Sequence, residues 1–224
     1  MIFLIKVLDI LFKELRNLLT PFSCGYCRHF LSLEEPLCIF CLQLIKPTLS
    51  TRLLLSPDFS LQVYAVSSYE EPLKTMILAK HSRAYEKSKH LGILIVRFLG
   101  ATSLKADYLI PVPLHPRRLA IRGYNQAQVI AEQISMASGI PLFDGLIRTR
   151  NTPPQAECPR HEKYGNVEGA FRVLSPELVA GKSIILIDDL MTSGATLGEA
   201  ARALIPCGPA HMRAIVACIS TSQL

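Results

Sequence analysis

The stretch that most constrains the fold is residues 182–204, KSIILIDDLMTSGATLGEAARAL. Ser183, Ile184, Ile185, Leu186 and Ile187 form an apolar, β-branched run, which suits a strand buried on both faces of a parallel sheet. Two acids follow, Asp188 and Asp189, and then a short polar loop of Thr192, Ser193, Gly194, Ala195 and Thr196. Thr196 with Glu199 three residues on predicts a capping box that opens a helix. Where a strand hands over to a helix, free backbone N–H groups point at one spot with the helix dipole behind them. The hydroxyls of Thr192, Ser193 and Thr196 add donors, and Gly194 lets the backbone come close. This predicts a phosphate cradle. Asp188 and Asp189 beside it can accept hydrogen bonds from paired ribose hydroxyls, so the stretch reads as a ribose 5-phosphate pocket. A buried strand followed by a capped helix is the plainer reading. The coincidence of two acids, paired hydroxyls and a glycine in this order weighs against it.

A second arrangement stands near the amino end. Cys24 and Cys27 form one C-x-x-C knuckle, and Cys38 and Cys41 form another after ten intervening residues. Two such knuckles predict a structural Zn²⁺ site, because four thiolates complete a tetrahedron and leave no open position for catalysis. Two disulfides are the alternative, and a reducing compartment disfavours them. Cys158, Cys207 and Cys218 lack this spacing and read as packing residues.

With 224 residues, half of them hydrophobic, the chain can build one medium domain plus a small module. The segment 47–57, bounded by Pro47 and Pro57, reads as the boundary, giving residues 1–56 to the amino-terminal module and 57–224 to the main domain. Net charge is +6, and from Lys74 to Arg122 ten Lys or Arg face only Glu86 and Asp107. Such a local excess suits phosphates or nucleic acid, or is a solvated basic helix face. No apolar stretch is long enough for a membrane span. Ile5, Leu8, Phe12, Leu15 and Leu19 lie at helical spacing and predict an amphipathic helix that docks on the protein. The segment lacks a signal peptide's leading charge and cleavage site, so a cytoplasmic protein is expected.

Alternation over residues 61–69 predicts a strand, followed by helices over 72–80 and about 85–100. A strand at 107–112 runs into PVPLHPRRLAIRGYNQA, a proline-stiffened loop bearing Arg117, Arg118 and Arg122 ahead of a helix over 125–137. A loop leaving the carboxyl end of a parallel strand faces the ligand crevice, and the planar guanidinium fork suits phosphate. A further strand is expected at 139–144 and the last at 212–219. Residues 148–165 form a long polar segment without periodicity, the kind of loop that usually serves function.

These motifs carry a resemblance. Residues 188–196 resemble the phosphoribosyl pyrophosphate (PRPP) loop of type I phosphoribosyltransferases, with Ser193 in place of a second threonine. PVPLHPRR, RGYNQA, Gln155, Asn166-Val167 and Gly169-Ala170-Phe171 closely resemble the ComF family signature, and the likeness runs from about Cys24 to the carboxyl end. Cys158 stands where that family has leucine, and Lys163 where it has arginine. Lysine keeps the charge and loses the bidentate fork. The resemblance implies an α/β fold of the type I phosphoribosyltransferase class, a Rossmann-like parallel sheet flanked by helices, with a small amino-terminal zinc-ribbon module. It implies PRPP held with Mg²⁺. Asp188 and Asp189 would hold the ribose and residues 192–196 the 5′-phosphate. Arg117, Arg118 and Arg122 would take the pyrophosphate, with Lys163 acting from a lid over the leaving group. It also implies a role in natural competence, with single-stranded DNA and a competence helicase as partners. A regulator that binds PRPP without catalysis, a nucleic-acid-handling module, and an enzyme of nucleotide salvage remain open at this point.

Overall fold

The computed structural model describes residues 22–46, 49–57, 59–79, 83–100, 104–151 and 168–220. The expected amino-terminal helix, and Gln155, Cys158, Lys163, Asn166 and Val167, lie outside them. At the centre is β6 (Ser183–Met191), with β7 (His211–Ile219) on one side and β3 (Tyr108–Pro111) on the other, both parallel to it. Ile184, Ile185, Leu186 and Ile187 are almost fully buried, as an apolar run covered on both faces must be. The sheet continues beyond β7 with β2 (Phe59–Ser68), again parallel, and ends in β1 (Leu49–Ser56), which pairs antiparallel with β2. The order is therefore β1-β2-β7-β6-β3.

Helices cover both faces. On one lie α3 (Arg83–Leu99) and α5 (Gln126–Ser138), whose Leu91, Leu94, Ile95, Ile130 and Ile134 pack with Ile185, Ile187 and Ile215 of the sheet. The two helices meet closely at Gly92, where a Cβ would lie 2.6 Å from Gln133 Cβ. On the other face α6 (Ala195–Leu204) and a two-stranded ribbon, β4 (Leu146–Arg148) with β5 (Phe171–Val173), pack on Ile184, Leu186 and Val216. The alternation of side chains along each strand separates these two cores.

The cysteine module joins the first core. Cys24, Cys38 and Cys41 pack in one cluster with Met76 and Leu91. Here α1 (Ile39–Leu42) is a single turn, and α2 (Leu73–Ile77) is the helix expected over 72–80. Arg97 in the last turn of α3 pairs with Glu35 at 2.6 Å.

Within the expected boundary segment, residues 49–56 form the strand β1, paired with β2. Three expectations need correction. The segment 139–144 makes only a single bridge, Leu109 to Leu142, because Pro141 has no N–H for a ladder and Gly139 closes α5 in a left-handed turn. Residues 116–122, expected as loop, form the helix α4 (Pro116–Arg122). Pro116 is preset for the first turn, His115 Nδ1 accepts the Arg117 N–H at 3.2 Å, and Gly123 at φ 83° closes the other end. The capping box is absent: α6 opens at Ala195 behind a left-handed Gly194 with no side-chain cap. Glu199 instead accepts the Gly169 N–H at 3.1 Å and pairs with Arg202. Among the described residues no helix is long and apolar enough to cross a membrane.

Candidate functional site

The four parallel strands β2, β7, β6 and β3 end on one edge, the edge at which ligands bind in open parallel sheets. Chain-end hydrogen bonds knit this edge: Ser220 N–H donates to Met191 O at 2.9 Å, and Tyr69 N–H to Ile219 O at 2.8 Å. Asn125 fixes the segment beyond β3 from both sides. Its Nδ2 donates to Val112 O at 3.0 Å, and its Oδ1 accepts the Ala127 N–H at 3.2 Å.

The acid pair sits on β6 itself, because the ladder to β7 runs on through Asp188, Leu190 and Met191. Successive side chains on a strand turn to opposite faces. Asp188 therefore lies toward the β4–β5 ribbon and Asp189 toward α3 and α5, and their electrostatic partners differ accordingly. Both are half-buried. Burial and the neighbouring Asp189 hold the Asp188 carboxyl well above its ordinary range, opposed by the Asp189 N–H at 2.9 Å and by Arg148. Burial also raises Asp189, with Arg122 opposing it most strongly. Tyr69 and Cys218 border Asp189. Burial and that carboxylate raise both, the Cys218 thiol to about 12, which makes it an inert packing residue.

Of the three expected arginines, two share a face. Arg118 and Arg122 are four apart on α4 and so stand one above the other, whereas Arg117 is turned roughly 100° away. Arg122 lies over the Tyr124 ring at 5.7 Å and acts on Asp189. Arg118 acts on Arg148. Arg117 is exposed. Arg148 opens the polar segment and belongs to no motif in the sequence. It is the last residue of β4, only 6% exposed, with its guanidinium 5.4 Å from the Phe171 ring centre. The signal available was the short apolar pair Leu146-Ile147 just before it. Beyond Arg148, Thr149 N–H donates to Ala170 O at 2.8 Å, and Arg150 donates to Glu168 O, so the two ends of the polar segment are fastened together.

The expected phosphate loop lies between β6 and α6. Thr192, Ser193 and Thr196 are half-buried, and Gly194 and Ala195 are buried. Gly194 has φ 75°, and a Cβ there would lie 2.6 Å from Leu53 Cδ1. Strand β1 thus presses on the loop from outside. The start of α6 lies beside the acids, where its Ala195 N–H donates to Ser193 Oγ at 3.4 Å, and a helix start of this kind suits a phosphorylated diol. A cavity of about 220 Å³, lined by Tyr64, Leu99, Leu104, Ile185, Arg213 and Ile215, does not touch the acid pair.

The four knuckle cysteines form a separate centre. One sulfur from each lies within 4.8 Å of the others, and none is in a disulfide. The 3.7 Å from Cys27 Sγ to Cys38 Sγ matches the edge of about 3.8 Å that four thiolates at zinc-bond length would have. Burial raises the Cys24 thiol, but backbone N–H groups of Cys38, Tyr26 and Cys27 outweigh it and bring it down to about 7. Burial and the other sulfurs raise Cys41. Sulfurs crowded in this way favour a shared cation, so the residues fit a metal ion.

Comparison with known proteins gives a match of residues 119–223 to the phosphoribosyl transferase domain family. The chain is similar to the DNA utilization protein YhgH of Escherichia coli O157:H7, 30% identical over 164 residues, covering 70% of this chain and 71% of the relative. It is similar to competence protein F of Haemophilus influenzae, 28% identical over 64% of this chain and 66% of the relative. It is also similar to competence protein ComFC of Bacillus subtilis, 38% identical over 46% of this chain and 40% of that protein.

Proposed function

Because the chain belongs to the ComF family and has the type I phosphoribosyltransferase fold, we propose that it binds PRPP with Mg²⁺ at the carboxyl edge of its sheet and transfers the phosphoribosyl group. The observation that carries this reading is the acid pair at the end of β6, with the loop 192–196 on one side and arginines on the other. Asp188 and Asp189 accept from the ribose hydroxyls. Thr192, Ser193, Gly194, Ala195 and Thr196 hold the 5′-phosphate at the start of α6. Arg118 and Arg122 hold the pyrophosphate, and Arg117 contributes at longer range. Lys163, outside the described residues, keeps the role the family resemblance gives it. An accepting nucleophile bonds to the anomeric carbon as the bond to pyrophosphate breaks, and the electron pair leaves on the pyrophosphate. Mg²⁺ bound together with PRPP would neutralise charge on the leaving pyrophosphate. The guanidinium groups oppose the same charge from the protein side.

We assign Cys24, Cys27, Cys38 and Cys41 to a structural Zn²⁺, residues from β1 onward to the phosphoribosyltransferase domain, and the protein to the cytoplasm. The relatives named as competence proteins support a role in competence; DNA uptake, with single-stranded DNA and a helicase as partners, is what the family resemblance adds to this proposal. Calorimetry of PRPP with Mg²⁺ against ribose 5-phosphate tests the site. PRPP should bind more tightly, and Asp189→Ala should weaken it; equal affinity for the two ligands would remove the pyrophosphate role. For the biological role, a strain carrying Asp188→Ala and Asp189→Ala at normal protein level should lose transformation, and normal transformation would sink that part.

A further inference from the structure

Helix α4 carries Arg118 and Arg122 at the carboxyl edge of the sheet, yet none of its residues is buried. A helix of seven residues has too few internal hydrogen bonds to be rigid by itself. Its start is capped by His115. Just past its end, Asn125 Nδ2 donates to Val112 O at 3.0 Å, and Val112 N–H donates to Ile187 O of β6 at 2.9 Å. These bonds fix the backbone beside the acid pair. They leave the direction of the Arg122 side chain open.

That direction is set by aromatic contacts. The Arg122 guanidinium lies over the Tyr124 ring, 5.7 Å from its centre, within the range at which a cation is drawn to a ring face. Tyr124 in turn meets Tyr85 of α3 edge to face, with 5.5 Å between ring centres and 79° between planes, a favoured arrangement. Lys89, one turn on along α3, lies over the Tyr85 ring at 5.1 Å and pairs with Glu86 at 3.1 Å. The α3 end of this row is anchored in the core. Ala84 and Ser88, before and after Tyr85, are buried, and Ser88 Oγ donates to Ala84 O at 2.9 Å. The Tyr124 hydroxyl is buried with no hydrogen-bond partner among the described residues. A buried hydroxyl left unpaired is unfavourable, so the ring, not the hydroxyl, holds this residue in place.

We propose that Tyr85 and Tyr124 are positioning residues for Arg122: the α3 tyrosine fixes the Tyr124 ring, and that ring holds the guanidinium ready for the pyrophosphate of PRPP. The purpose rests on the proposed pyrophosphate role of Arg122; the contacts do not. A guanidinium already in place loses less freedom when the ligand arrives. Tyr85, far away in sequence, acts only through Tyr124.

The test titrates PRPP and ribose 5-phosphate, each with Mg²⁺, into wild type, Tyr124→Leu, Tyr124→Phe, Tyr85→Leu, Tyr85→Phe and Arg122→Ala, and into Arg122→Ala combined with each leucine variant. The readout is the preference for PRPP over ribose 5-phosphate. Tyr124→Leu should lower it about three- to thirtyfold, the range of a cation–π contact. Tyr85→Leu should lower it about two- to tenfold, the range of an aromatic pair. Both phenylalanine variants keep a ring and should keep the preference. In the Arg122→Ala background neither leucine should lower it further, because the group they act through is gone. A leucine variant that weakens both ligands equally, or that adds its full loss to that of Arg122→Ala, would overturn the inference and leave the tyrosines as packing residues. If wild type shows no preference for PRPP, the pyrophosphate role fails by itself. The Arg122 Hδ resonances of the ligand-free protein then decide the positioning. The Tyr124 ring shifts them upfield, and Tyr85→Leu must move them back toward random-coil positions; unmoved resonances refute the support from α3. Should Tyr124→Leu not fold, Tyr85→Leu, at a side chain 40% exposed, is read alone.

Discussion

Gly194 offers the sharpest test of how the loop is held. Its φ of 75° lies in the left-handed region, and a Cβ there would fall 2.6 Å from Leu53 Cδ1 and 3.0 Å from Cδ2. Gly194→Ala thus meets two separable penalties. A left-handed backbone with a Cβ costs about 1–2 kcal/mol, and forcing a methyl into a filled space costs about 1–3 kcal/mol. Together they predict a loss of about 2–5 kcal/mol. The second penalty belongs to Leu53 alone, since the next side-chain atom met is also from Leu53. In a Leu53→Ala background the cost of Gly194→Ala should therefore fall to the backbone share, about 1–2 kcal/mol. Urea unfolding followed by far-ultraviolet circular dichroism measures all four corners of this cycle, and the chain has no tryptophan to complicate it. Equal costs in the two backgrounds would show that β1 does not press on the loop. PRPP binding by Gly194→Ala should also weaken, because the same methyl moves the N–H groups at the start of α6.

Three further outcomes are expected. Purified protein should carry one zinc per chain, and Cys24→Ser should lower the melting temperature of the whole protein, not only of the cysteine module, because Cys24, Cys38 and Cys41 share a core with Leu73, Met76 and Leu91; two transitions with the upper one unchanged would contradict this. Arg118→Ala should weaken PRPP binding by tenfold or more, the worth of a charge-assisted hydrogen bond at about 1.5–3 kcal/mol, whereas Arg117→Ala should change calorimetric affinity by less than about twofold; matching losses would mean the helix face is misassigned. The raised carboxyl of Asp188 means the folded state binds more protons than the unfolded one between the ordinary and folded pKa values, so stability is lost as pH rises through that window; Asp188→Asn should therefore melt higher than wild type at neutral pH while losing PRPP, and a lower melting point would show the charge is compensated.

Features with local causes were legible in the sequence. The run 183–187 is buried on both faces wherever it sits in a parallel sheet, and two C-x-x-C knuckles bring four sulfurs together through their own short turns. The helices α3 and α5 follow from apolar spacing and, for α5, from Asn125 as its cap. What escaped depends on partners distant in sequence. Residues 49–56 read as part of a proline-bounded domain boundary until β2 supplies a pairing edge. Arg148 looks like the first charge of a polar segment until Phe171, from beyond that segment, gives it a face to lie on. Glu199 fits a capping box by spacing, yet the Gly169 N–H and Arg202 claim it first. At α4 the signals were local but conflicting. Proline and arginine suggested loop, while a proline in the first turn and a glycine after the last are what a short helix needs.

The alternation of β6 has a consequence for how the whole site is supported. Asp188 and Asp189 are neighbours in sequence but belong to the two sides of the sheet, and each side brings its own cation and its own core. Asp188 is matched by Arg148 on the ribbon that packs with α6, the helix whose start forms the phosphate loop. Asp189 is matched by Arg122 and bordered by Tyr69, and Tyr69 packs on the core that contains the knuckle cysteines. Lys46, just past the second knuckle, pairs with Glu70 at 3.3 Å beside Tyr69; the pair is exposed and contributes little by itself, but it marks where the module meets the crevice. A ribose diol held by both acids would therefore bridge two cores that the sheet otherwise keeps apart.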